Sequence, residues 1–256
     1  MATALVTGGT SGIGLAFAGE LAERGYDLVL AARDADRLAE TAADLTDRFG
    51  RQVETFPVDL AVRSDVDRLV ERLTDQQRPI EVLVNNAGFG LNTPLVGTDV
   101  ELQDRAIEVM CRAVLVCSGA AAEAMRSRGR GMIINVSSLS AWIYKGNYSA
   151  LKRWVLSYTQ ALALELARTG VQATVVCPSW VKTELHERAG VKRPRLPGWA
   201  WVEATEVARV ALDTASRGKV VAIPGRGWRV AVWVLRHAPD ALPRFFSRRI
   251  SKSRSN

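Results

Sequence analysis

The stretch Ala2-Thr3-Ala4-Leu5-Val6-Thr7-Gly8-Gly9-Thr10-Ser11-Gly12-Ile13-Gly14-Leu15 decides the fold. Through Thr7 it is a short, largely apolar run of the kind that makes a buried strand, and a glycine turn follows at once. Residues 15–24 then set Leu15, Ala18, Leu21 and Ala22 on one helical face. In this order, strand, glycine turn and helix allow the backbone to approach a pyrophosphate at the helix N-terminus, because glycine carries no Cβ. Gly8, Thr10, Ser11, Gly12, Ile13 and Gly14 are therefore candidate nucleotide contacts. The spacing Gly8, Gly12, Gly14 departs from the common G-x-G-x-x-G. A plain tight turn would account for one or two of these glycines, and the flanks argue for the nucleotide reading.

Further along, strand-like runs recur at residues 27–31, 53–58, 80–84, 132–136, 171–176 and 220–223, with stretches of helical length between most of them. This alternation predicts an α/β fold: a single-domain, Rossmann-like, doubly wound, seven-stranded parallel sheet with helices on both faces. Ligands of such sheets bind beyond the carboxyl ends of the strands, where Gly12, Asn86, Ser138 and Pro178 all fall. At 256 residues one domain suffices. We assign it to residues 1–225, including an insertion at about 184–202, with residues 226–256 as a basic amphipathic extension.

The second strand ends in Ala32-Arg33-Asp34. An acidic residue at this strand end binds ribose hydroxyls, whereas an arginine suits a 2′-phosphate. Arg33 thus favours NADP(H) over NAD(H). The competing reading is that Arg33 only solvates the start of the helix at 35–49, with Asp34 as its N-cap.

Tyr148 and Lys152 stand four residues apart, on one helical face. A nearby ammonium favours the phenolate, which moves a phenol, ordinarily at a pKa of about 10, towards service as an acid–base at neutral pH. Ser138 closes the strand at 132–136, where its hydroxyl can hold a substrate oxygen as charge develops on it. Ser137 and Ser140 read as ordinary strand-end or turn serines.

Residues 7–14, Asn85-Asn86-Ala87-Gly88, Ser138 and Tyr148-Ser149-Ala150-Leu151-Lys152 follow one another as in the short-chain dehydrogenase/reductase family, which the chain resembles over roughly residues 2–225. The resemblance implies hydride transfer between a nicotinamide and a ketone or secondary alcohol, with Ser138, Tyr148 and Lys152 catalytic and Tyr148 and Lys152 also beside the nicotinamide ribose. It places Asp59 and Leu60 at the adenine, Asn86, Ala87 and Gly88 beside the adenosine ribose, and Pro178, Val181 and Thr183 at the nicotinamide. It also implies a homodimer or homotetramer, paired through the helix of Tyr148 and the helix at 203–217.

Three departures stand out. Ser179 replaces the usual Gly, the loop from Ser138 to Tyr148 is short and holds Trp142, Ile143 and Tyr144, and Met110 stands where the family has a catalytic Asn. A thioether cannot replace an amide as a hydrogen-bonding group. The insertion at 184–202, a substrate lid in the family, carries Leu185, Val191, Leu196, Trp199 and Trp201, which points to an apolar substrate: lipid-like, acyl or steroid-type. The alternative from another class is a catalytically weakened nucleotide-binding scaffold or redox-sensing interaction protein, against which the retention of Ser138, Tyr148 and Lys152 argues.

Cys111, Cys117 and Cys177 have no metal-ligand spacing, and His186 and His237 are too few for a histidine site, so no metal is expected. No basic leader with an apolar core and no run of about 18 apolar residues is present, which predicts a cytoplasmic protein. Charge is uneven: residues 217–256 carry ten Lys or Arg and one acid, interleaved with Trp228, Val232, Trp233, Leu235, Phe245 and Phe246. This segment either packs its apolar side on the domain or lies on an anionic membrane surface. It holds no nucleic-acid-binding motif.

Overall fold

The computed structural model describes residues 2–91, 93–181 and 198–237, apart from the side chains of Trp199 and Arg236. Thr183 and residues 184–197 of the expected lid lie outside the described residues, as does 238–256.

Seven parallel strands form the sheet: β1 (Thr3–Thr7), β2 (Asp27–Ala32), β3 (Val53–Pro57), β4 (Ile80–Asn85), β5 (Gly131–Val136), β6 (Val171–Val176) and, after a two-residue pair formed by β7 (Trp180–Val181) and β8 (Trp201–Val202), β9 (Val221–Ala222). Their order is β3-β2-β1-β4-β5-β6-β9, with Leu5 of β1 paired to Val29 on one side and Leu83 on the other. The order reverses between β1 and β4, which opens a crevice above that pair. The expected fold class is thus observed. The last strand is shorter than its apolar run.

The central strands bury both faces, which is why they read as continuous apolar runs. Leu5, Val29, Leu83 and Ile133 face α3 (Arg63–Thr74) and α5 (Ala113–Arg128). Val6, Leu28, Leu30, Val84 and Ile134 face α1 (Gly12–Glu23) and α7 (Ala204–Ser216). α2 (Ala35–Phe49) starts on Asp34, whose carboxylate accepts from Arg37 N, so Asp34 is the N-cap. α4 (Glu101–Ile107) runs into α5 through a π-helical turn, Glu108–Arg112, that contains Met110. α6 (Gly146–Glu165) carries Tyr148 and Lys152, and α8 (Arg226–His237) follows β9.

Candidate active site

The carboxyl ends of β1, β4, β5 and β6 bring together the residues singled out in the sequence. At β1, Gly8 and Gly12 have φ of +66° and +54°, which favours glycine. A Cβ on Gly14 would collide with the Gly8 carbonyl oxygen and the Asn86 amide. The α1 N-terminus is left open: Ser11 forms no side-chain cap and no acid occupies the first turn. Bare backbone facing uncapped N–H groups fits a dinucleotide pyrophosphate.

Thr7 and Asn86 fix this turn to β4. The Thr7 hydroxyl accepts from Asn86 N at 3.0 Å and Ala87 N at 3.1 Å, and donates to Val84 O at 3.3 Å. Asn86 Nδ2 donates to the carbonyls of Thr7, at 3.0 Å, and Gly8, at 3.3 Å. The Asn86 side chain thus shapes the cradle, while Ala87 and Gly88 continue past it.

Arg33 is exposed just beyond β2, and its charge reaches Asp59 after β3. Burial would raise the Asp59 carboxyl, but the Ala61 N–H, the Arg105 guanidinium at 2.6 Å and Arg33 outweigh it and hold the pKa below the usual carboxylate range. Leu60 is buried in the core, so only its backbone is left for a ligand. Sequence reasoning missed Arg37, on the first turn of α2, whose Nε donates to Thr10 O at 3.1 Å. The available signal was a second arginine just inside the helix that follows β2.

At β5, Ser138 Oγ accepts from Ser140 N at 3.1 Å and opens a 3-10 turn, Leu139–Trp142. Leu139 N in turn donates to Pro178 O at 2.9 Å, which draws the ends of β5 and β6 together. Val181 is buried, and Trp142 and Ile143 are half-buried along the short loop.

Tyr148 sits on the first turn of α6, within hydrogen-bonding reach of Ser138. Burial raises its pKa and the Ser138 hydroxyl opposes the rise. The expectation that Lys152 would pull the phenol down is not met: Lys152 Nζ donates to Val136 O at 2.9 Å and stands 5.8 Å from the Tyr148 ring centre. Desolvation brings the Lys152 pKa down to about 8.

Met110 is 1 % exposed and packs under Gly88: a Cβ there would lie 3.2 Å from Met110 Sδ and 3.6 Å from Lys152 Nζ. Burial pushes Cys111 up to about 11 and Cys117 and Cys177 to about 12, which leaves them protonated and inert at neutral pH. No group of side chains suited to a metal occurs among the described residues.

Two further features were not legible as site residues. Ser137 Oγ donates to Lys152 O at 2.6 Å, which pins α6 to the end of β5. Beneath the site, Asn85 Nδ2 donates to Ser118 Oγ at 3.0 Å and Asn135 Oδ1 at 2.9 Å, and Asn135 Nδ2 donates to Thr159 Oγ1 at 3.0 Å. This buried network ties β4, β5, α5 and α6 together. Its one sequence signal is a buried Asn within each of two apolar strands.

The profile of the family described as short chain dehydrogenase matches residues 2–193. An uncharacterised oxidoreductase of Staphylococcus saprophyticus is 40 % identical over 185 residues, which covers 71 % of this chain and 79 % of that protein. Among solved structures, a short-chain dehydrogenase from Sphingobium yanoikuyae in complex with NADPH is 32 % identical, with a TM-score of 0.83 over 94 % of this chain and 97 % of that one. A bulky-bulky ketone specific alcohol dehydrogenase from Comamonas testosteroni is 27 % identical, with a TM-score of 0.78 over 94 % of this chain and 96 % of that one.

Proposed function

The chain belongs to the short-chain dehydrogenase/reductase family, whose members are oxidoreductases of alcohol and ketone groups, and from that premise we propose that it is an NADP(H)-dependent reductase of apolar ketones. The observation that carries this reading is the convergence of Ser138, Tyr148 and Lys152 at the end of β5, opposite the open N-terminus of α1.

Each side chain has a separate task. The bound dinucleotide supplies or accepts the hydride. Ser138 holds the substrate oxygen: its Oγ accepts from Ser140 N, and the hydroxyl that meets the Tyr148 phenol turns its hydrogen to the substrate once that is bound. Tyr148 Oη gives a proton to that oxygen in reduction and takes it back in oxidation. Its raised pKa keeps the phenol protonated at neutral pH, which suits reduction. Lys152, anchored on Val136 O, lends its charge to the nicotinamide ribose side of the site. Gly8, Thr10, Ser11, Gly12, Ile13 and Gly14 bind the pyrophosphate, Arg33 the 2′-phosphate, Asp59 and Leu60 the adenine edge, Asn86, Ala87 and Gly88 the ribose wall, and Pro178, Val181 and Thr183 the nicotinamide. Arg37 adds a second cation at the turn through its contact with Thr10.

The NADPH complex of the Sphingobium relative supports the choice of nucleotide, the bulky ketone specificity of the Comamonas relative supports a bulky ketone, and the half-buried Trp142 and Ile143 support an apolar one. A homodimer through α5 and α6 accounts for the exposed apolar side chains Leu115, Trp154 and Leu164 there. α7, the other helix expected to pair, buries Val207, Ala208, Ala211, Leu212 and Ala215 on its sheet side.

Titration with NADPH and NADH, followed by nucleotide fluorescence, tests the cofactor assignment. NADPH should bind at least about tenfold more tightly, with the difference removed in Arg33→Ala. Equal affinity in the wild type would overturn the NADP(H) preference, and binding of neither would favour the scaffold alternative without its nucleotide.

A further inference from the structure

The apolar residues of α8 divide into two sets. Val232 is buried against the body of the protein, and Trp228 Nε1 donates to Ala200 O at 3.1 Å. Val230, Trp233 and Val234 face the other way and are exposed at 64 %, 63 % and 42 %. Packing on the domain explains the first set only. A helix that needed nothing more than that packing would turn polar residues outward. On the outer face of α8 the tryptophan and two valines instead share the surface with Arg226, Arg229 and His237.

The same segment holds the net charge of the whole protein. Residues 1–225 carry 26 Lys and Arg against 26 Asp and Glu, whereas residues 226–256 carry eight against Asp240 alone, which accounts for the net +7. Three partners can be compared on this basis. A second copy docking face to face would bring one +7 segment against another, and the neutral remainder offers no net attraction. A nucleic acid matches the charge but provides no apolar phase for Trp233 and the valines. An anionic lipid surface matches both, with arginines at the headgroups and the tryptophan and valines at the acyl boundary. No helix among the described residues is long and apolar enough to cross a membrane.

We propose that α8 docks this protein on an anionic lipid surface through Val230, Trp233 and Val234, with Arg226 and Arg229 beside them. α8 also packs on the turn after Ser138, Leu139–Trp142, and on Gly198–Ala200. Docking therefore holds the Ser138 side of the site near the headgroups. The proposal does not depend on the substrate, and vesicle binding is read separately from nucleotide binding.

The test is sedimentation of the full chain with phosphatidylcholine vesicles and with vesicles containing phosphatidylserine. The protein is expected to bind the second kind alone. Binding should weaken about tenfold or more in Trp233→Ser/Val234→Ser and in Arg226→Glu/Arg229→Glu, and in high salt. All four side chains are exposed, and the hydrogen bond lost, from Arg229 Nε to Ile223 O, lies on the surface, so nucleotide affinity stays at its wild-type value and the melting temperature changes little. Val230→Thr and Arg226→Gln replace either double variant that fails to fold. Sedimentation with neither vesicle, equal sedimentation with both, or undiminished binding in the variants would overturn the proposal. So would a dimer that Trp233→Ser dissociates in the absence of vesicle binding, which assigns the face to a second copy, or retention on DNA with no vesicle binding.

Discussion

The Lys152 ammonium is hydrogen-bonded to the Val136 carbonyl oxygen at 2.9 Å, at the strand end that leads into Ser138. This contact fixes the lysine from the backbone of β5 and leaves the Tyr148 phenol to Ser138.

Lys152 makes stability depend on pH. Burial lowers its folded pKa from 10.5 to about 8, so between those values the unfolded chain binds more protons than the folded one. Wild-type stability relative to Lys152→Met is therefore flat below about pH 8 and rises towards about pH 10.5, by at most roughly 3 kcal/mol. Urea unfolding of both proteins across that range checks it, and a constant difference would mean that the lysine titrates as it does in water.

Tyr148→Phe and Ser138→Ala separate chemistry from binding. Ketone reduction should fall by about 10²–10⁴-fold for Tyr148→Phe, with nucleotide affinity within about threefold of wild type. Because burial raises the phenol, alcohol oxidation should quicken as pH rises above neutral, while reduction falls off only in alkali. Stopped-time assays in both directions measure these slopes, and an oxidation rate that declines with pH would remove Tyr148 as the proton acceptor.

Two glycines of α1 should respond oppositely to alanine. A Cβ on Gly14 meets the Gly8 carbonyl and Asn86, whereas one on Gly19 meets nothing within 4 Å. Gly14→Ala should abolish nucleotide binding and cost a few kcal/mol. Gly19→Ala should stabilise by about 0.5–1 kcal/mol, since alanine loses less entropy in a helix. Thermal unfolding and nucleotide titration of both variants decide the matter.

Met110 packs against Gly88, which Lys152 also approaches, with a group that can barely hydrogen-bond. Met110→Asn should raise kcat with little change in KM, at about 1–3 kcal/mol of stability for the buried amide. A kcat that does not rise would show that proton transfer here needs no amide at this position.

The sheet was legible because its strands are short apolar runs punctuated by glycine, and the glycine turn because each of its residues acts locally. Long-range pairing was hidden. Lys152 bonds a carbonyl 16 positions away, and Asn85 meets Asn135 across 50, contacts that only the folded sheet creates. The i, i+4 rule placed Lys152 beside Tyr148 correctly, but burial, which sequence spacing does not report, set the direction of both pKa shifts. For α8 the reading that it packs its apolar side on the domain describes the face of Val232 alone, and the face of Val230, Trp233 and Val234 stays exposed.

The central claim is best tested by NADPH oxidation with a panel of bulky apolar ketones, comparing wild type with Tyr148→Phe. The account predicts ketone-dependent oxidation that the variant loses while it still binds NADPH. Tight NADPH binding with no turnover of any ketone, or turnover that Tyr148→Phe leaves intact, would contradict it.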